Sequence, residues 1–180
     1  MLKIAGSTLV VLFVAGSIAM KVVWKTGVLA NVPVLGKIFG GGTSLRDEVQ
    51  SYLTFRDQQI NAMNQVTSTM PGGAFTPPVA LAATLERSVI PVFETSLRAY
   101  QNYPVKDAEL LAVKQIEATI AQQRIQAYKA LVEACKQQDR QQIQSAQRNL
   151  KQTEQREREV QNKLREIGSK AGVNIMFRPF

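Results

Sequence analysis

Three sets of residues are of types and spacings that could do chemistry, two through side chains and one through its backbone. The first is Cys135, the single thiol, in the stretch Leu131-Val132-Glu133-Ala134-Cys135. A cysteine becomes a nucleophile or metal ligand as the thiolate, beside a base or a metal. The chain contains no histidine, so neither a Cys–His pair nor a Cys/His zinc site can be assembled within it. In an Ala-rich helical stretch such a cysteine reads as a small buried apolar residue. The alternative, a reactive thiol or an intermolecular disulfide, leaves the redox compartment open.

The second set is Glu109, Glu117 and Glu133, with Lys106, Lys114 and Lys129 near enough to pair with them. Carboxylates facing one another in a bundle bind metals through Glu-x-x-His pairs, which this composition forbids. Lysine partners imply ordinary ion pairs instead. The third set is Gly40-Gly41-Gly42 ahead of a helical segment. A phosphate-binding loop follows a strand and carries a lysine after its last glycine. Both are missing here, so the glycines read as a linker. Histidine-based acid–base catalysis and a Ser-His-Asp triad are excluded by composition. The expectation is no catalytic residue, no cofactor, no metal and no small-molecule substrate.

A net charge of +8 raises nucleic acid as a partner. The strongest basic segment holds Arg140, Arg148, Lys151, Arg156, Arg158, Lys163, Arg165 and Lys170, but Glu154, Glu157, Glu159 and Glu166 interleave with them. No aromatic side chain is there to stack on bases. Mixed charge of this kind marks a solvated helix laced with weak ion pairs. No nucleic acid is expected.

The elements that position these groups begin with an apolar run. Ile4 to Met20 carries no charge and is bounded by Lys3 and Lys21. Extended through Val22-Val23-Trp24, it reaches the roughly 20 residues that span a hydrocarbon core, with Lys21 snorkelling. Trp24 and Lys25 then fall at headgroup level. Residues 1–25 are therefore expected to be a transmembrane anchor of the signal-anchor type. A cleaved signal peptide ending near Ser17-Ile18-Ala19 is the competitor. Ala5, Leu9, Leu12, Gly16 and Ala19 share one helix face, and Gly16 and Ala19 would permit close approach of another membrane helix.

The positive-inside rule barely discriminates the two orientations, since lysines flank both ends. A short tail before a long C-terminal domain favours a periplasmic or otherwise extracytoplasmic domain. Residues 26–43 are apolar and broken by Asn31-Val32-Pro33. They are expected to lie in the interface, with Lys37 reaching the headgroups, and to end in the glycine joint.

From Thr43 the helical period prevails, and residues 44–172 are expected to form a helical bundle. Ser44 is the candidate N-cap of a first helix, with Asp47 and Glu48 in its first turn. Its stripe is Val49, Leu53, Arg56, Ile60, Met63, Thr67 and Met70, and Pro71-Gly72-Gly73 stops it. A second helix starts near Pro77-Pro78 and is kinked or broken at Pro91. A third, from about Val105 to Lys136, presents Val113, Ile116, Ile120, Ile125, Tyr128, Leu131 and Val132. Asp139 caps a fourth, with Gln142 in the capping-box relation. The fourth carries Ile143, Ala146, Leu150, Thr153, Glu157, Val160, Leu164, Ile167 and Ala171 in heptad spacing, and Gly168 and Gly172 end it.

The last two helices are expected to form an antiparallel coiled-coil hairpin, each about 45 Å long, with Leu150 and Leu164 in its seam. The apolar tail 173–180, including Phe177 and Phe180, is expected to pack on the bundle as an extended segment. The alternative for the tail is a docking peptide.

The fold class is thus all-α, an N-terminal transmembrane helix followed by an antiparallel bundle. The functional expectation is a non-catalytic, single-pass membrane scaffold or accessory subunit. Its partners would be the lipid bilayer and either other membrane-complex subunits or copies of itself, with Gly16, Ala19, Trp24, Lys25, Leu150, Leu164, Phe177 and Phe180 as contact residues. The alternative is an envelope protein acting on the membrane through residues 22–39.

Overall fold

A computed structural model describes residues 44–71 and 77–177. The anchor, the interfacial segment and linker, Gly16, Ala19, Trp24, Lys25 and Phe180 lie outside the described residues. Among those described, no helix is long and apolar enough to cross a membrane.

The described residues are helical throughout, apart from caps, turns and the tail. Helix α1 is Leu45–Ser68, α2 is Pro78–Thr84, α3 is Ile90–Asn102, α4 is Ala108–Gln137 and α5 is Arg140–Lys170. A π-helical turn, Leu85–Val89, joins α2 to α3 without a break, so four rods result. Sequence predicts a kink at Pro91, and the structure puts the adjustment one turn earlier. Proline has no N–H and its ring crowds the carbonyl of the preceding turn. The wider π turn, in which Ile90 N–H reaches back to Leu85 O, absorbs that mismatch.

The caps follow from local chemistry. Ser44 Oγ accepts from Asp47 N–H at 3.2 Å, and Pro78 opens α2, where a missing N–H costs nothing. Helix α4 starts three residues later than Val105, because Asp107 is its N-cap and accepts from Leu110 N–H at 2.8 Å. Asp139 caps α5 by accepting from Gln141 and Gln142 N–H at 2.9 and 3.0 Å. The reciprocal half of the expected capping box is not made, since Asp139 N–H is used by Ala134 O at 3.0 Å.

Cross-helix pairs define the topology. Lys170 meets Glu109 at 2.6 Å and Arg124 meets Glu157 at 2.7 Å, so α5 runs back along α4 as an antiparallel hairpin. Lys136 reaches Glu86 at 2.6 Å and Lys129 reaches Glu94 at 2.8 Å, which sets α2 and α3 antiparallel to α4 on another side. Helix α1 packs against α3 through Phe55, whose ring is edge-on to Tyr100 at 5.3 Å and stacked on Tyr103 at 4.1 Å. The result is an up-down-up-down bundle.

Two apolar clusters fill it. One gathers residues such as Met63, Leu85, Phe93, Leu131, Cys135 and Ile143. The other gathers Val49, Tyr52, Leu110, Val113, Val160 and Leu164. Gly168 does not end α5, which continues to Lys170. Its lack of a side chain has another use: a Cβ there would lie 2.5 Å from Ile175 Cδ1 and 2.9 Å from Val173 O. The glycine is the seat on which the tail folds back. The reversal itself occurs at Gly172, at a φ of +66° that favours glycine.

Candidate functional site

Between the two apolar clusters lies a layer of polar side chains. Arg56 falls between Tyr52 and Met63 on α1, Arg124 between Ile120 and Ile125 on α4, and Thr153 and Glu157 between Ala146 and Val160 on α5. Helical periodicity turns every one of these positions inward, so the layer must satisfy itself or cost several kcal/mol per stranded charge.

It does so around Glu117. Arg56 Nε donates to Glu117 Oε1 at 2.5 Å, and Tyr52 Oη donates to Glu117 Oε2. The Arg56 and Glu117 side chains are 4 % and 6 % exposed. Burial raises the Glu117 carboxyl above its ordinary range, against the pull of the Arg56 charge. Burial also works against the Arg56 charge, but the Glu117 carboxylate outweighs it and holds the guanidinium protonated. Tyr52 and Tyr100 are both pushed up, first by burial and then by the negative charge of Glu117. Both stay neutral at any physiological pH, and Tyr52 does so as a hydrogen-bond donor to Glu117.

A second pair completes the layer. Arg124 donates through Nη1 to Glu157 at 2.7 Å and through Nε to Thr153 Oγ1 at 2.9 Å. A cavity of about 20 Å³ lies among Arg56, Tyr100, Glu117, Arg124 and Glu157. That volume holds one water and no larger ligand. No family model, characterised protein or solved structure matches the chain. Its chemistry must therefore be read from these side chains alone.

Glu117 has two donors on it, is closed in by Tyr52 and Arg56, and faces only a water-sized space. It can fix the register of α1 against α4. The lysine partners expected for the glutamates fall elsewhere. Lys114 Nζ donates to Tyr103 O at 3.0 Å, Lys129 pairs with Glu94, and Glu109 takes Lys170. The reason is geometric: Glu117 points inward to α1, whereas Lys114 reaches Tyr103 at the end of α3 and Lys129 reaches Glu94 on α3. Among the described residues no group of three or more potential metal ligands occurs.

Cys135 is 1 % exposed within the first cluster, and burial pushes its thiol up, away from the reactive thiolate. This is the buried apolar role that its surroundings predict. Of the expected contact residues, Leu164 is fully buried in the second cluster, whereas Leu150 is only half-buried against the first. The two are thus unequal members of the seam. Phe177 packs on the second cluster with its ring 5.2 Å from the Arg56 guanidinium and 5.4 Å from that of Arg165.

Sequence reasoning places Arg56 in the core stripe of α1 without assigning it a partner. It puts Leu53 in that stripe where the structure buries Tyr52. An arginine at a core position was the signal that a buried carboxylate had to exist.

Proposed function

We propose that the protein is a non-catalytic, membrane-anchored helical scaffold or accessory subunit of a membrane complex, with the bundle held outside the cytoplasm. The observation that carries the non-catalytic part is the use made of Glu117. The most strongly perturbed carboxyl in the bundle is locked between Tyr52 and Arg56. The other groups with chemical capacity are similarly employed, Arg124 in holding α5 and Cys135 in core packing. A perturbed carboxyl is often a catalytic signal, but here burial in the packed bundle raises it, and both of its oxygens are taken by structural donors.

The membrane part rests on the sequence. The uncharged run from Ile4 to Met20, flanked by Lys3, Lys21, Trp24 and Lys25, has the length and flanks of an anchor. The partner part rests on what a rigid bundle beside a membrane can offer. Its long exposed faces on α4 and α5 are rich in glutamine and mixed charge, suited to contact with a larger subunit or another copy.

Alkaline carbonate extraction of native membranes, followed by intact-mass measurement, tests the anchor. The chain is expected to stay in the pellet at full mass, and release as a product trimmed near Met20 would refute it. Lysine-directed crosslinking in the same membranes is expected to join the bundle to another chain. A peptide covering residues 22–39 that binds liposomes, with no crosslinked partner, would instead support direct action on the membrane.

A further inference from the structure

We propose that residues 173–177 form a displaceable strap, and that its seating is coupled to the Arg56–Glu117 pair that pins α1 to α4. This inference concerns the bundle alone and does not depend on the proposed membrane role.

The strap is extended and alternates. Val173, Ile175 and Phe177 face the second cluster, while Asn174 and Met176 face outward, Met176 at 87 % exposure. Its backbone is held at one point, where Val173 N–H donates to Gly168 O at 2.8 Å. Among the described residues, the backbone of 174–177 makes no further hydrogen bond. Three side chains and one bond against solvent-exposed backbone place the strap at the low-stability end of the fold, where local opening is cheapest.

Its terminal ring stands in a particular place. Phe177 is half-buried and spans two guanidiniums, that of Arg165, which is exposed, and that of Arg56, which is buried. The ring is thus the outer cover of Arg56. A cation held against an aromatic face gains from exclusion of water, and the Arg56–Glu117 attraction is strong only while water stays out. Lifting the strap removes both conditions together. The seat is equally specific, since any Cβ at residue 168 would run into Ile175.

Hydrogen exchange read by mass spectrometry on the full chain tests the coupling. In the wild-type protein, amides of 174–177 are expected to exchange far faster than those in the middle of α4. Phe177→Ala should raise exchange of residues 49–60 in α1 about tenfold and leave the middle of α4 within about twofold. Gly168→Ala should give the same pattern by lifting Ile175, with the ring still present in the chain. By reciprocity, Arg56→Met should speed exchange at the Val173 amide. The proposal is overturned if α1 exchange is unchanged in the strap variants, if it rises equally in α1 and α4, or if the strap in the wild type is as protected as α4. Should Phe177→Ala fail to fold, Gly168→Ala and the wild-type profile still decide.

Discussion

Arg56 on α1 donates to Glu117 on α4 at 2.5 Å, with both side chains almost wholly out of solvent. Tyr52, one turn earlier on α1, takes the second carboxylate oxygen. Two residues on one helix therefore clamp a single acid on another, within the reach of the second apolar cluster, to which Tyr52, Val113 and Ile120 belong. Losing either partner strands the other charge. Glu117→Ala and Arg56→Ala are each expected to cost about 3–5 kcal/mol, whereas Arg56→Met combined with Glu117→Leu should cost much less or nothing. Denaturant titration of the three variants checks this, and additive losses in the double variant would contradict it.

The same site gives a pH dependence of definite sign. Burial raises the folded-state pKa of Glu117, while the unfolded chain carries it near the ordinary value of about 4.3. Between those two values the native state holds more protons than the unfolded state. The contribution is fully present below about 4.3 and is lost as pH rises through the folded pKa. Glu117→Gln removes this titration. The stability of the wild type relative to E117Q is therefore expected to fall as pH rises from about 4, measured by chemical denaturation at stepped pH. A relative stability that rises with pH would mean the carboxyl is held low instead.

Packing predictions separate the two seam leucines. Leu164 is 0 % exposed and Leu150 is half-buried. Leu164→Ala is expected to cost about 2–5 kcal/mol, and Leu150→Ala distinctly less, because a partly exposed site leaves little cavity behind. Thermal melting followed by circular dichroism ranks them, and equal losses would contradict the burial.

Cys135 should be inert in the folded protein. Its sulfur lies in the core and burial disfavours the thiolate. Labelling by a thiol reagent is expected to follow the opening of the bundle, and to become fast only in denaturant. Fast stoichiometric labelling under native conditions would contradict the packing around α4 and the start of α5.

Much of the bundle was legible from the sequence, and for identifiable reasons. The apolar spacing of Val113, Ile120, Ile125 and Leu131, and of Ile143, Ala146, Val160 and Leu164, is a long-range repeat that only a helix can place on one face. Ser44, Asp107 and Asp139 act through neighbours within a few residues, although Asp107 yields to Val105 when only turn signals are weighed. The clamp was less legible. Glu117 has three lysines nearby along the chain, and nothing local says that its partner is 61 residues away on α1. Gly168 misled for a similar reason. Glycine near a helix end is usually a stop, and only the returning Ile175 reveals that the site needs an absent side chain. The π turn before Pro91 was hidden because proline announces a disturbance without saying how it is absorbed.

The central claim is that the chain works within a membrane assembly, and its mass in mild detergent bears on that most directly. Size-exclusion chromatography with light scattering, run on material from the native source, separates protein mass from bound detergent. A protein mass above the 19.9 kDa of one chain is predicted, either in whole multiples or together with a defined co-purifying subunit. A clean species of one chain mass, with no second protein and no crosslinks through the surface lysines, would contradict it.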